Sequence, residues 1–253
     1  MNNRKYTFGD ITFEIDSPIP LKEDKTLETF RSKQDTDYLI RVCSYGNKET
    51  DLDKTTVRNG NTITCFVKDE YIKEITIASL LASYGMTHLF MEHDAFILHA
   101  SYIINNGEAL LFTAPSGTGK STQASLWQEF RGSEIINGDR VLITKRNGQF
   151  FANGIYVSGT SGICGNKSVP ISAVILLEQH KTNQRMEIPA RMLFLRILCE
   201  CTYNMNDRKQ CEKITEIISD MINTLPVICY GCTNTSDAVD ALERILLWKK
   251  DRE

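Results

Sequence analysis

Little in this chain is in excess. Its 29 lysines and arginines are nearly matched by 32 aspartates and glutamates, for a formal net charge of −3. Such a balance gives no broad basic field, so a large phosphate-backbone footprint is not expected and any phosphate binding must be local. No apolar run reaches the roughly 20 residues of a bilayer span, and residues 1–10 contain no apolar signal-like core. The expectation is a protein with no nucleic acid and no membrane partner, cytoplasmic by default. Internal repeats and low-complexity segments are also missing. So is any duplicated C-x₂-C framework. Eight cysteines are present, but only Cys199/Cys201 and Cys229/Cys232 lie close together. Neither pair makes a zinc site, and reduced, mostly buried thiols are expected. What 253 residues do allow is a substantial core, as one large domain or a domain with a smaller appendage.

The first third reads as β-rich. Residues 6–15 and 38–45 alternate apolar and polar side chains, and 56–67 reads as a hairpin turning at Asn59-Gly60. Between the first two, 16–37 is polar and proline-containing, which predicts a long loop or a series of turns. Ile72, Ile75, Ala78, Leu81 and Ala82 recur at helical spacing, so a helix over 71–90 is expected to link this region onward.

Beyond it, 96–104 and 109–113 are apolar strands turning at Asn106-Gly107, and 121–130 is helical. Residues 134–139 form a short strand ending in an acid, and 141–151 a second hairpin turning at Asn147-Gly148. A buried strand at 174–177, helices at 190–201 and 207–224, a strand at 227–230 and a last helix at 236–248 complete the chain. Tight turns join antiparallel strands, so this is not a plain doubly wound sheet. The expected fold is α/β (α+β) with a mixed sheet: a β-rich region and linking helix at 1–94, and a nucleotide-binding domain at 95–253.

The segment richest in chemistry is Ala114, Pro115, Ser116, Gly117, Thr118, Gly119, Lys120, Ser121 and Thr122, which follows an apolar strand and opens a helix. Backbone N–H groups of such a loop point at phosphate oxygens, the lysine reaches the β- and γ-phosphates, and the serine hydroxyl ligates Mg²⁺. The helix adds the positive end of its dipole. The loop departs from G-x-x-x-x-G-K-[ST] at its first glycine, here Ala114, which matters only if that position needs positive φ.

Asp139 ends a short apolar strand about twenty residues on, where a second acid meets the Mg²⁺ of a P-loop site. His99 lies in the strand before the loop, where a core histidine is the plainer reading. His88 and Glu92 are spaced to share one face of a helix, near His93, but no third metal ligand is evident. The glycine-rich 158–166 segment reads equally as a cover for phosphates and as a simple connection. Lys167, Arg140, Arg185 and Arg191 are candidate phosphate contacts that the sequence does not rank.

The order His99, then Ser116-Gly117-Thr118-Gly119-Lys120-Ser121, then Gly138-Asp139-Arg140 resembles the catalytic core of HPr kinase/phosphorylase and, more distantly, of ATP-dependent phosphoenolpyruvate carboxykinase. The resemblance covers about residues 95–250. It implies a mixed-sheet P-loop kinase fold, ATP and Mg²⁺, and transfer of the γ-phosphoryl group to a hydroxyl, serine above all, of a protein, peptide or small-molecule acceptor. By that resemblance Lys120 holds the β- and γ-phosphates, Ser121 and Asp139 hold Mg²⁺, and His99 lies near the transferred group. One feature departs: the family carries two adjacent acids at the second motif, one of them the base toward the substrate serine. Here Asp139 stands alone, so either the base or a metal ligand is missing. A nucleotide-binding regulatory or accessory module without turnover is therefore an alternative, as is a simple NTPase. A homo-oligomer is compatible with the chain, and neither the acceptor nor the role of 1–94 is written in it.

Overall fold

The computed structural model describes residues 4–22, 25–46, 56–83 and 86–250. The chain divides into two compact units, Met1–Leu89 and Phe90–Glu253. In the first, β1 (Arg4–Phe8) and β2 (Ile11–Asp16) form an antiparallel hairpin, followed by the single turn α1 (Lys25–Glu28). Strands β3 (Tyr38–Tyr45), β4 (Thr56–Asn59) and β5 (Thr62–Lys68) complete a sheet of order β1-β2-β3-β5-β4. Helices α2 (Ile77–Ser83) and α3 (Met86–Met91) follow. Phe8, Phe13, Phe30 and Tyr38 are buried together, with ring centroids 5.1 Å apart for Phe8 and Phe30 and 5.4 Å for Phe13 and Tyr38.

Three local expectations fail here. The alternation over 6–15 is not one strand, because Gly9, at φ 61°, turns the chain so that Phe8 faces Ile11. The second hairpin pairs Asn59 with Thr62, so its turn is Gly60-Asn61, one residue later than read. Residues 71–90 are not one helix either. Turns occupy 69–74, and Thr76 then caps α2: Ser79 N donates to Thr76 Oγ1 (2.9 Å) and Thr76 N to Ser79 Oγ (3.1 Å). That reciprocal cap fixes the helix start at Ile77, several residues into the apolar pattern.

The second unit holds β6 (Phe96–Asn105), β7 (Glu108–Thr113), α4 (Lys120–Arg131), β8 (Glu134–Asn137), β9 (Arg140–Arg146), β10 (Gln149–Asn153) and β11 (Ser168–Gln179). It continues with β12 (Gln184–Arg185), α5 (Ala190–Cys199), β13 (Cys201–Thr202), α6 (Arg208–Thr224), β14 (Val227–Cys232) and α7 (Ser236–Lys250). The sheet runs β10-β9-β6-β7-β11-β14-β12, with β8 and β13 also paired to β6. Strands β7, β11 and β14 are parallel, whereas β6 is antiparallel to β7 and β9. The sheet is therefore mixed. The hairpins cause this: Asn106 and Gly107 (φ 51° and 83°) and Asn147 and Gly148 (φ 49° and 83°) form left-handed two-residue turns, which match the twist of the strands they join.

Successive side chains of a strand point to opposite faces. Leu111, Val174 and Leu176 join Ile214, Ile218 and Met221 of α6 on one face, while Phe112, Ile175 and Leu177 join Trp127 of α4 and Leu242 of α7 on the other. Burial on both faces explains why these strands read as unbroken apolar runs.

One strand changes company midway. At Ile97 and Leu98, β6 has β9 and β13 as partners, whereas over 102–104 its partners are β7 and β8. The exchange happens at His99, and the ends of four strands open there, at the kind of switch point where α/β sheets bind ligands.

Candidate functional site

The chain leaves β7 at Thr113 and reaches α4 through a loop whose Gly117 and Gly119 stand at φ 79° and 118°. Gly119 is the N-cap of α4, and no side chain caps that end. Backbone N–H groups of the first turn have no intrahelical partner, so this end attracts anions. Ala114 is fully buried and is not among the residues of positive φ, so alanine at the position of the usual first glycine carries no backbone penalty.

Lys120 folds back into the loop. Its side chain is 7% exposed, and Nζ donates to the carbonyl oxygens of Ala114 (2.8 Å) and Pro115 (3.4 Å). Burial pulls its ammonium below the ordinary lysine range, against the opposing effect of the Glu200 and Asp139 carboxylates. A buried cation that leans on loop carbonyls is a group waiting for a better counter-charge.

The turn between β8 and β9 carries Asp139 and is braced by Asn137, which is wholly buried. Asn137 Oδ1 accepts from the backbone N–H of Asp139 (2.9 Å) and Arg140 (3.0 Å), and Nδ2 donates to the carbonyls of Ile155 (3.0 Å) and Val157 (2.8 Å). Asp139 thereby faces His99, with Oδ1 3.3 Å from Nε2, while Oδ2 accepts from Arg140 Nε at 3.2 Å. On the other side of the ring, His99 Nδ1 lies 2.9 Å from Glu200 Oε2. The imidazole thus stands between two carboxylates, one on each nitrogen.

His99, Ser116, Gly117, Gly119, Lys120, Ser121, Thr122, Gly138, Asp139 and Ser161 line one cavity of about 300 Å³. Of the nine loop residues expected to bind, Ala114, Pro115 and Thr118 do not line it; the first two contribute carbonyls to Lys120 instead. The 158–166 segment lies across the Asp139 turn rather than away from it. A methyl group on Gly159 would sit 2.7 Å from Asp139 Cγ, and one on Gly138 would sit 2.5 Å from Ser161 Oγ. A side chain at either position would force Asp139 or Ser161 to shift.

Among the four candidate cations, Arg140 alone pairs with Asp139; it also donates to Thr202 Oγ1 at 2.8 Å. Lys167 pairs with Glu134 at 2.5 Å and Arg185 with Glu187 at 3.2 Å, and neither these two nor Arg191 lines the cavity. All eight cysteines carry free thiols, and burial pushes Cys232 up to about 11. No group of three or more His, Cys, Asp or Glu among the described residues is placed to hold a metal by itself, His88 and Glu92 included. Asp139, His99 and Glu200 do not converge, because the two acids approach opposite ring nitrogens.

Glu200 is the residue that sequence reasoning missed. One signal was available: it follows Leu193, Phe194, Leu195, Ile197 and Leu198 in an apolar run, and a carboxylate buried in such company must find a partner.

No family model matches the chain, and no curated protein matches it. Among solved structures it matches the Hpr(Ser) kinase/phosphatase from Coxiella burnetii at 14% identity, over 61% of this chain and 98% of that one, with a TM-score of 0.35. The match is a distant structural relationship. No helix among the described residues is long and apolar enough to cross a membrane.

Proposed function

We propose that this protein binds Mg-ATP and transfers its γ-phosphoryl group to a hydroxyl, serine above all, of a protein, peptide or small-molecule acceptor. The observation that carries the reading is convergence: Lys120, Ser121, His99 and Asp139 line one cavity at the uncapped N-terminus of α4. Phosphoryl transfer requires little covalent chemistry from a protein, and this is the equipment it does require: fixed N–H donors, a cation and a hydroxyl beside a carboxylate. About 300 Å³ suits a phosphate chain and the tip of an acceptor rather than a whole nucleotide.

Incoming β- and γ-phosphates would take over the Lys120 ammonium from the Ala114 and Pro115 carbonyls. The Ser121 hydroxyl and Asp139 carboxylate both face the cavity and are hard oxygen donors. Mg²⁺ is held in such sites by one or two protein oxygens, with waters and substrate phosphates completing its shell, so these two residues fit it. When bound, it would offset charge on the phosphate oxygens.

The test is incubation with Mg-ATP labelled at the γ-phosphate, offered free serine and a pool of serine-containing peptides. Label is expected on an acceptor, at a rate lowered by about 10³-fold in Lys120→Ala. Equal transfer by that variant contradicts the reading. Label released only to water would mark a simple NTPase, and tight binding without label loss would mark a nucleotide-binding module.

A further inference from the structure

A second cavity, of about 330 Å³, lies in the Phe90–Glu253 unit at the other end of the same parallel strands. The glycine-rich loop leaves β7 at its last residue, Thr113. This cavity instead takes Glu108 and Leu110 from the beginning of β7, Ile171 and Ser172 from β11, and Pro226 from just ahead of β14. Helix α4 reaches both sites: Lys120 lines the first and Trp127 the second, about two turns or 10 Å further along the helix axis.

We propose that this second cavity binds an uncharged, mostly apolar small molecule that carries a hydrogen-bond acceptor, and that Trp127 recognises the acceptor. The inference does not depend on the phosphoryl-transfer reading.

The cavity lies beside an irregularity in the sheet. Ile171 pairs with Ala109 and Ala173 with Leu110, so Ser172 is an extra residue with no counterpart on β7. Such a bulge bends its strand, and here Ser172 Oγ pins it by donating to the Ala109 carbonyl at 3.1 Å. Leu110, Ile171 and Leu246 give the lining its apolar surface.

Several polar groups of the lining are bonded within the protein. Thr224 Oγ1 donates to the Asp220 carbonyl at 2.8 Å, Asn105 Oδ1 accepts from Ser133 Oγ at 3.0 Å, and the two oxygens of Glu243 accept from Arg131 at 3.0 and 2.8 Å. The indole N–H of Trp127 is different. Trp127 is fully buried, and its Nε1 finds no acceptor among the described residues. A buried tryptophan ordinarily donates its N–H, because a desolvated donor without a partner is costly. A ligand that brings an acceptor removes that cost, and its apolar body takes the place of water against the leucine and isoleucine side chains.

Charge narrows the class further. Glu108 and Glu243 put carboxylates on the lining, whereas no lysine or arginine is among its described residues. An anion is therefore repelled, and a ketone, ester or amide oxygen is the acceptor that fits.

The experiment titrates the full chain, labelled with ¹⁵N and with ¹³C in its methyl groups, with three probes of similar size. Benzylacetone is neutral and carries a ketone oxygen, hydrocinnamate is its anionic counterpart, and butylbenzene has no acceptor. The indole N–H signal of Trp127 is identified by its loss in Trp127→Phe, and affinities are read from the Ile171 and Leu246 methyl signals. Benzylacetone is expected to move the Trp127 signal downfield to saturation and to bind at least about tenfold more tightly than hydrocinnamate. Trp127→Phe should weaken benzylacetone about tenfold relative to its effect on butylbenzene. An unmoved Trp127 signal, or hydrocinnamate bound as tightly as benzylacetone, would overturn the proposal. Equal effects of Trp127→Phe on benzylacetone and butylbenzene would do so too, since the indole would then be packing alone. A Trp127 signal that shifts with chain concentration, without probe, would make a second copy of the chain the occupant and likewise overturn it. Should Trp127→Phe fail to fold, the wild-type titrations decide by themselves.

Discussion

The two ends of α4 are finished in opposite ways. At its C-terminus Gly132, at φ 65°, turns the chain so that its N–H reaches the Gln128 carbonyl at 3.0 Å, and Ser133 N–H reaches that of Trp127 at 3.3 Å. Arg131 adds bonds to Glu243 (2.8 Å) and Asp240 (2.6 Å) of α7, placing a cation where the helix dipole is negative. At the N-terminus the glycine at the cap, Gly119, is not joined by any side-chain cap, and the first residue, Lys120, is buried with its Nζ on loop carbonyls. One end is satisfied within the protein. The other has no side-chain cap, and in the proposed reading a phosphate would complete it, so the two ends of one helix differ in how they are finished.

Substituting each glycine breaks the comparison at a chosen end. Gly119→Ala forces a side chain into φ 118°, a conformation L residues rarely adopt, and moves the N–H groups of the first turn of α4. Mg-ATP affinity is expected to fall about 10²-fold, measured by calorimetric titration. Gly132→Ala meets no steric contact but still pays the left-handed penalty of roughly 1–2 kcal/mol. Its thermal midpoint should drop by a few degrees, with affinity for Mg-ATP unchanged; a matching loss of affinity would show that the two ends are not independent.

The smallest expected effect is a pH dependence. Lys120 has a folded-state value lowered by burial, so between that value and the free lysine value of about 10.4 the unfolded chain holds more protons than the native one. Stability of the wild type relative to Lys120→Met should therefore rise as pH climbs through this window and level off above it. Denaturant midpoints across alkaline pH give the measurement. A falling difference would mean that Lys120 is better solvated than its position implies.

Much of the site was legible because it is local. Asn106-Gly107 and Asn147-Gly148 announce hairpins through their need for positive φ, and the apolar strand, glycine-rich loop and helix follow one another without interruption. His99 and Asp139 were readable as candidates for the same reason, since both flank that unit. Glu200 was not. It lies 101 residues from its partner in the chain, at the C-cap of α5 and just before β13, a strand of only two residues, too few to show any periodicity. In the first unit, Gly9 and Thr76 overrode longer patterns: a single positive φ splits an alternating run, and a single capping hydroxyl resets where a helix begins.

The central claim is that the open end of α4 and its loop hold the phosphates of a nucleotide. Calorimetric titration with Mg-ATP, Mg-ADP and AMP, on wild type and Lys120→Ala, tests it most directly. The account predicts that wild type binds ATP and ADP far more tightly than AMP, and that Lys120→Ala erases most of that difference. Equal affinity of wild type for all three, or undiminished ATP binding by Lys120→Ala, would contradict it.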